Sequence, residues 1–345
     1  MKSFKRHRAM GLFDSDFRIE KLILLGDPLH RLSEGVDFEI FRSKLEECLS
    51  KLAQGAGGRP PYDYVLMFKI LVLQRYFNLS DEQVEFQVCD RISFMRFLGL
   101  TVADDVPDSK TVWAFRERLA DLGLVQEVFE LFIKELEKLG LILNAGKIVD
   151  ASFIEVPKQR NTREENKQVK EGETPASFTE NPAKLAQKDI DARWTKKNKV
   201  SYYGYKNHVK VDGKSKLVTG FTVTDASVHD SQEIEGLIGE KDKGQPLYAD
   251  SAYTGEELHI RLKGKEVQLH IHEKGVKNKP LTETQLASNK EKSKTRVRVE
   301  HVFGFMENNM NGMGLAYIGI KRIESAVGMM NLVYNMFRKV QLEAI

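Results

Sequence analysis

The spacing of apolar residues changes near Gly140, and this change limits the possible folds more than any other feature of the chain. Before it, apolar side chains recur every three or four residues, as in Phe41 and Leu45, which predicts successive helices. After it, short β-branched runs separated by turns predict strands. We therefore expect an all-α amino-terminal domain over residues 1–140 and an α/β domain over residues 141–345.

The amino-terminal half carries clear helix boundary signals. Ser80 with Gln83 predicts a capping box, Gly99 predicts a helix end, and Asp108 predicts the start of another helix. Short helices joined by tight turns are compatible with a DNA reader of the helix-turn-helix kind. Its candidate DNA contacts are the basic residues on the polar side of the last of these helices, Lys110, Arg116 and Arg118.

The second half alternates strand-like and helix-like segments. Its predicted helices cover residues 230–238 and 256–262, and its predicted strands cover residues 147–150, 205–211, 217–223, 246–249 and 267–271. Two polar segments interrupt this order. Residues of about 158–200 are interpreted as an exposed insertion in which Asp189 and Asp191 are surface groups, and residues 274–293 as a linker.

Two acids stand where the local pattern is apolar. Asp150 follows Ile148-Val149 and Asp250 follows Leu247-Tyr248-Ala249, each at the expected carboxyl end of a buried strand. In open α/β sheets that edge is where ligands bind. A single such acid is more often a turn cap, but two in one domain favour a functional site.

A third acid, Glu300, lies on a predicted helix four residues after Arg296, so both side chains share one helix face. An ordinary surface pair is the alternative interpretation. Three carboxylates on two strand ends and a helix suit two Mg²⁺ ions, or Mn²⁺ in their place, because hard cations take oxygen ligands. Two such ions about 3.5–4 Å apart support in-line displacement at phosphorus.

Charge distribution is compatible with a nucleic-acid partner. The net charge is only +3, but basic residues crowd into 193–216, among aromatic side chains, and into 261–298. Trp194 either stacks on an unpaired base or anchors the insertion to the sheet. His229 either contacts DNA or simply hydrogen-bonds within its loop.

Cys48 and Cys89 are too few and too far apart for a disulfide framework or a zinc site. The most apolar stretch, residues 65–73, is too short to span a bilayer and contains Lys69, and the basic start is not followed by a signal-peptide core. With 41% hydrophobic and 30% charged residues, we expect a folded cytoplasmic protein without a membrane partner.

These motifs together resemble the IS5 family of bacterial insertion-sequence transposases. The carboxyl-terminal part of the resemblance consists of Gly-Lys-Ile-Val-Asp-Ala-Ser-Phe at 146–153, Tyr-Lys-Asn-His at 205–208, Thr-Asp-Ala-Ser-Val-His-Asp-Ser at 224–231, Leu-Tyr-Ala-Asp-Ser-Ala-Tyr at 247–253 and Arg-Val-Glu-His-Val-Phe-Gly at 298–304. Segments at 58–62, 66–69, 78–83 and 106–111 resemble the helical domain of that family, so the resemblance covers nearly the whole chain.

The resemblance implies a ribonuclease-H-like catalytic domain with an Asp-Asp-Glu triad at Asp150, Asp250 and Glu300. The related families also carry a Tyr, an Arg and a Lys at fixed spacing around the catalytic Glu. Arg296 fits the Arg position, whereas Ser293 and Glu307 stand at the Tyr and Lys positions. The neighbouring basic residues are the candidate replacements for that phosphate contact: Lys292, Lys294 and Lys321, with Arg298 as a further candidate DNA contact.

We therefore expect a transposase that binds terminal inverted repeats, cuts DNA with Mg²⁺ and joins the cut end to target DNA, as a dimer or larger assembly. Two alternatives remain open at this point. A stand-alone ribonuclease-H-like nuclease would cut without joining, and a DNA-binding regulator descended from a transposase would do neither.

Overall fold

The computed structural model of the protein describes residues 11, 14–50, 60–275 and 280–344. Gly58 and Arg59, the first two residues of the segment at 58–62, lie outside this range. Within it, no helix combines the length and the apolar character needed to cross a bilayer. The cytoplasmic location stays a prediction.

The amino-terminal half is helical, as predicted, and its helices begin and end at the residues that carry boundary signals. Ser80 and Gln83 form the capping box of α5, the Asp108 carboxylate accepts from the Thr111 N–H at the start of α7, and Gly99 ends α6 with a positive φ. The helices are α1 (Asp14–Leu24), α2 (Pro28–Gly35), α3 (Arg42–Ser50), α4 (Tyr64–Phe77), α5 (Asp81–Asp90), α6 (Ile92–Leu98), α7 (Ser109–Asp121) and α8 (Leu124–Lys138).

The described strands of the second half form one mixed sheet. They are β1 (Lys147–Glu155), β2 (Arg193–Lys197), β3 (Val200–Asp212), β4 (Val218–Asp225), β5 (Pro246–Ala249) and β6 (Gln268–Ile271). Strand β1 is antiparallel to β3 and parallel to β5, which is parallel to β6, while β2 and β4 pair with successive parts of β3. With helices around it, this sheet confirms the ribonuclease-H-like fold class.

The remaining helices flank the sheet or lie in the insertion. They are α9 (Arg163–Lys170), α10 (Ala176–Thr179), α11 (Pro182–Leu185), α12 (Ile234–Leu237), α13 (Glu256–Gly264), α14 (Glu283–Arg296), α15 (Arg298–Asn309) and α16 (Ile320–Glu343). Helix α16 packs against β4 and also against α2, α4, α7 and α8. Its buried Asn335 accepts from the Val218 N–H at 2.9 Å, and its buried Asn331 bonds Asn207 of β3 at 3.0 Å. One apolar core thus joins the helical half to the sheet.

Strand β1 extends five residues beyond Asp150, so the prediction that Asp150 ends its strand is wrong. The full length of β1 pairs with β3, whose length the sequence did not reveal. Gly204 closes this pairing with φ +141°, and a Cβ there would lie 2.3 Å from the Ile154 carbonyl oxygen, so only glycine fits. Asp150 nevertheless lies just beyond the last pair that β1 forms with β5, Ile148 with Tyr248.

The two polar segments are more ordered than expected. Within the insertion, β2 joins the sheet, and Asp189, predicted to be a surface group, is 1% exposed because it accepts hydrogen bonds from two main-chain N–H groups and from the Tyr205 hydroxyl. Asp191 is half-buried and accepts from the Ile320 N–H. The predicted linker is also wrong over its second part, since α14 begins at Glu283, capped by Thr282.

Candidate functional site

Asp150 and Asp250 each lie two residues beyond the last pair between the parallel strands β1 and β5. Ile148 pairs with Tyr248, and this register, continued by two residues, places Asp150 beside Asp250. Strand β5 ends at Ala249, so Asp250 lies at its carboxyl end and caps a short 3₁₀ turn by accepting from the Ala252 N–H at 2.7 Å. The prediction that Asp250 follows the carboxyl end of its strand is therefore confirmed, whereas β1 continues past Asp150.

Arg296 connects Asp150 to Glu300. Its Nη1 lies 2.8 Å from Asp150 Oδ2, and its Nη2 lies 3.6 Å from Glu300 Oε1. Glu300 is in the first turn of α15, which is fixed to the core by the fully buried Val299 and Val302, while its own side chain is 55% exposed. The arginine thus stands between an acid on the sheet and an acid at the surface.

The surroundings of the Asp150 carboxylate shift its pKa upward. Burial raises its pKa to about 6, the Ala151 N–H and Arg296 oppose this rise, and the Asp250 and Glu300 carboxylates add to it. Asp250 and Glu300 are therefore both close enough to Asp150 to act on its carboxylate electrostatically.

Carboxylate oxygens are the ligands that hard divalent cations prefer, so the donor set fits such an ion. Among the described residues, however, no three His, Cys, Asp or Glu side chains are grouped closely enough to hold a metal. Arg296 occupies oxygens of Asp150 and Glu300 that a cation would share. Metal binding at these acids would therefore require Arg296 to move from between them.

The sequence prediction missed two residues of this site. The Tyr253 hydroxyl is buried without a hydrogen-bond partner in the described part of the chain, and burial followed by the charges of Asp150, Asp230 and Asp250 raises its pKa well above the usual range. His272 follows β6, and burial followed by Arg296 and Lys292 lowers its pKa. The sequence signal that could have identified His272 is the one used for Asp250, namely a polar residue directly after an apolar strand.

Most basic candidates near the site bond to the main chain or to acids. Lys292 donates to the Ile271 carbonyl at 2.9 Å, Arg298 donates to the Gly213 carbonyl at 2.6 Å, and Lys294 pairs with Glu291 at 2.6 Å. Lys292 and Arg298 are half-buried, whereas Lys294 is exposed. Among these basic residues, Arg296 is the one whose described contacts include acids of the candidate triad, namely Asp150 and Glu300.

Ser293 and Glu307 stand at the Tyr and Lys positions of the signature that the resemblance implies. The Ser293 hydroxyl donates to the Asn289 carbonyl at 2.8 Å and lies 3.3 Å from His272 Nε2. Glu307 is exposed further along α15, and Lys321 is exposed on α16. Ser293 therefore lies next to the site, beside His272. Within the described residues, Glu307 and Lys321 have no contact with the three acids.

Within the described residues, none of the remaining candidates forms a hydrogen bond or an ion pair with the three acids. Lys110 and Arg118 are exposed on α7, but Arg116 is paired with Asp81 and lies 4.6 Å from the Tyr317 ring centroid. The His229 side chain caps a 3₁₀ turn and lies 2.8 Å from the Ser231 hydroxyl. Trp194, on β2, is 44% exposed with its ring centroid 5.0 Å from that of Tyr203.

Comparison with known proteins adds independent findings. Residues 145–336, more than half of the chain, match the family model described as a transposase DDE domain, and residues 17–118 match one described as a transposase domain. A solved structure described as the cryo-EM structure of a piggyBac transposase synaptic complex with hairpin DNA is similar at 14% identity, over 92% of this chain and 75% of that chain, with a TM-score of 0.46. That likeness is too weak to say anything about the residues of this site.

Proposed function

Since this chain belongs to the transposase DDE domain family and is thus a DNA transposase, we propose that Asp150, Asp250 and Glu300 are its catalytic triad. The observation that carries the proposal is that Arg296 bridges Asp150 and Glu300. In support, Asp150 and Asp250 each lie two residues beyond the pair of Ile148 with Tyr248. Acids separated by up to 150 residues of sequence are thereby brought to one sheet edge.

DDE transposase domains generally use divalent metal ions, and we propose Mg²⁺, or Mn²⁺ in its place, with two ions held by the triad. When bound, such ions activate the attacking oxygen and stabilise the leaving oxygen at phosphorus. The Asp150 side chain is only 13% exposed, so solvent screens its charge interactions less than it would at the surface. We propose that Arg296, once released from Asp150, pairs with a DNA phosphate.

We further propose that residues 1–140 form a domain that recognises the terminal inverted repeats and that residues 141–345 form the catalytic domain, as in an IS5-type insertion sequence. The exposed Lys110 and Arg118 of α7 are the proposed contacts there. Arg116 is left out because Asp81 already neutralises it. Arg298, Lys292 and Lys294 are proposed to support the DNA near the triad. Two element ends must be brought together, so a dimer or larger assembly on DNA is proposed.

The test is to incubate the purified protein with Mg²⁺, labelled DNA carrying the ends of the element, and a target plasmid. Products joined to the target support strand transfer by this chain. Cutting without joining would favour a stand-alone nuclease, and binding without either reaction would favour a regulator. The same assay in EDTA should give no product.

A further inference from the structure

A cavity of about 280 Å³ lies between α9, β2 and the loop after β4, outside the site of the three acids. We name it the α9–β2 pocket. Among the described residues that line it, none is acidic, and its basic residues are Arg163, Lys167, Lys170 and Arg193. Its volume lies just below the range of about 300–1,000 Å³ common for small-ligand sites, so it suits one nucleotide and no more.

The three basic residues of α9 share one face of that helix. Arg163, Lys167 and Lys170 follow one another at spacings of four and three residues. Like charges at these spacings destabilise a helix unless an anion compensates for them. Elsewhere in the insertion Lys184 has such a partner, Glu165 at 3.1 Å, whereas the α9 cations form no ion pair within the described residues.

Strand β2 adds a fourth cation and an aromatic surface. The Arg193 guanidinium donates to the Ile190 carbonyl at 2.7 Å and not to a carboxylate. Trp194 rests against the buried Tyr203, which fixes the indole while leaving 44% of the residue exposed. An exposed aromatic ring beside clustered cations is the arrangement by which proteins hold single-stranded nucleic acid, with the base stacked and the phosphate paired.

The register of β1 and β3 gives the separation between the pocket and Asp150. Tyr203 precedes Val209 by six residues on β3, and Val209 pairs with Asp150. At about 3.3 Å per strand residue, this separation is about 20 Å. At about 3.4 Å per base step, 20 Å corresponds to about six base pairs of DNA.

We propose that the α9–β2 pocket binds one nucleotide of the DNA strand, with its base on Trp194 and its phosphates on the α9 cations, about 20 Å from Asp150. This inference rests on the proposed function and adds a second point at which the strand is held. Binding of the DNA strand at the α9–β2 pocket would determine which phosphate lies at the triad.

The experiment uses Trp194 as its own reporter. The chain has two tryptophans, so Trp113→Phe in the full-length protein leaves Trp194 as the remaining indole. In EDTA, titration with a single-stranded oligonucleotide should quench Trp194 fluorescence. Replacing Arg163, Lys167 and Lys170 together by Gln should raise the Kd at least about tenfold and reduce the salt slope by about 0.7–1.4, at about 0.7 for each of the one or two phosphates of the bound nucleotide.

A matched control replaces three exposed lysines on other helices, Lys21, Lys134 and Lys263, by Gln. This variant should quench as the parent does, and circular dichroism should show both triple variants folded. Absence of quenching, or an equal loss in the control, overturns the proposal. The proposal is also overturned if a nucleoside monophosphate or inorganic phosphate binds as tightly as the oligonucleotide, because the pocket would then be a site for a free anion and not for a DNA strand.

Failure of this proposal and failure of the proposed function are distinguishable. The quenching assay contains no divalent metal and needs no cutting, so Asp150→Ala in the Trp113→Phe background should quench fully. Charge-dependent quenching in a protein that never cuts or joins DNA would support the pocket while contradicting the proposed reaction. Joining of DNA by a protein that shows no quenching would support the proposed reaction and contradict the pocket.

Discussion

Arg296 donates a 2.8 Å hydrogen bond to Asp150, which lies 146 residues earlier in the chain. The contact ties the end of α14 to the middle of β1, where the arginine is 23% exposed and the carboxylate 13% exposed. Because Arg296 also faces Glu300, its cation compensates for two of the acids at once. The arginine therefore has two possible partners, the acids in the free protein and a phosphate in a DNA complex.

Arg296→Ala should weaken DNA binding and reduce the slope of log K against log salt by about 0.9 for a duplex, because one phosphate contact is lost. Fluorescence anisotropy with labelled end DNA at several salt concentrations measures this slope. Arg261→Ala is the matched control, since Arg261 is also paired with a glutamate but lies on α13. A slope that Arg296→Ala leaves unchanged would make this arginine a structural partner of the acids alone.

Asp150→Ala, Asp250→Ala and Glu300→Ala should each reduce DNA cleavage by at least about 100-fold, because each removes a charge from the group that stabilises the reaction. End binding should change little, as the binding contacts proposed on α7 are elsewhere. Gel analysis of cut DNA, beside a mobility-shift assay, separates the two effects. Glu307→Ala, two turns further along α15 and exposed, should cut normally. Wild-type cutting by any one triad variant would exclude that residue.

Asp150→Asn should stabilise the metal-free protein at high pH. Burial raises the Asp150 pKa in the folded state to about 6 from 3.8, so its contribution to stability is full below pH 4 and is lost as the pH rises through 6. Asn cannot ionise, so the variant should gain about 1–3 kcal/mol over the wild type at pH 8 and much less at pH 4. Urea unfolding in EDTA at both pH values tests this, and a gain independent of pH would contradict the raised pKa.

Local patterns predicted the parts of this molecule that depend on local chemistry. The capping box at Ser80 and the position of Asp250 after β5 follow from residues next to one another. The length of β1 and the burial of Asp189 do not, because both depend on β3, which lies far along the chain. The first part of helix α14, residues 283–293, was predicted as a linker because α14 contains no buried residue, so its sequence lacks the apolar repeat that marks a helix. The single helix expected for Arg296 and Glu300 is divided at Val297 into α14 and α15.

Loss of the Asp189 carboxylate should destabilise the fold. Asp189 accepts from the Tyr205 hydroxyl at 2.7 Å and from the N–H groups of Asp191 and Ala192 at 3.0 Å each. Asp189→Ala leaves these three donors unsatisfied and should cost about 3 kcal/mol of unfolding free energy, because an unpaired buried polar group costs about 1–3 kcal/mol. Asp189→Asn keeps an oxygen acceptor and should cost less.

Tyr205→Phe separates the hydroxyl contact from the other two. On its own it should cost about 1.5–3 kcal/mol, since it removes a hydrogen bond to a charged group. Added to Asp189→Ala it should cost much less, because the hydroxyl has already lost its acceptor, and urea unfolding of the four proteins gives the coupling energy. Additive losses would mean that the 2.7 Å contact contributes nothing. Since Asp189 holds the main chain of Asp191 and Ala192, just before β2 begins at Arg193, the Asp189→Ala protein should also show weaker quenching of Trp194 by DNA. Tyr205→Phe keeps these two main-chain bonds and should quench normally.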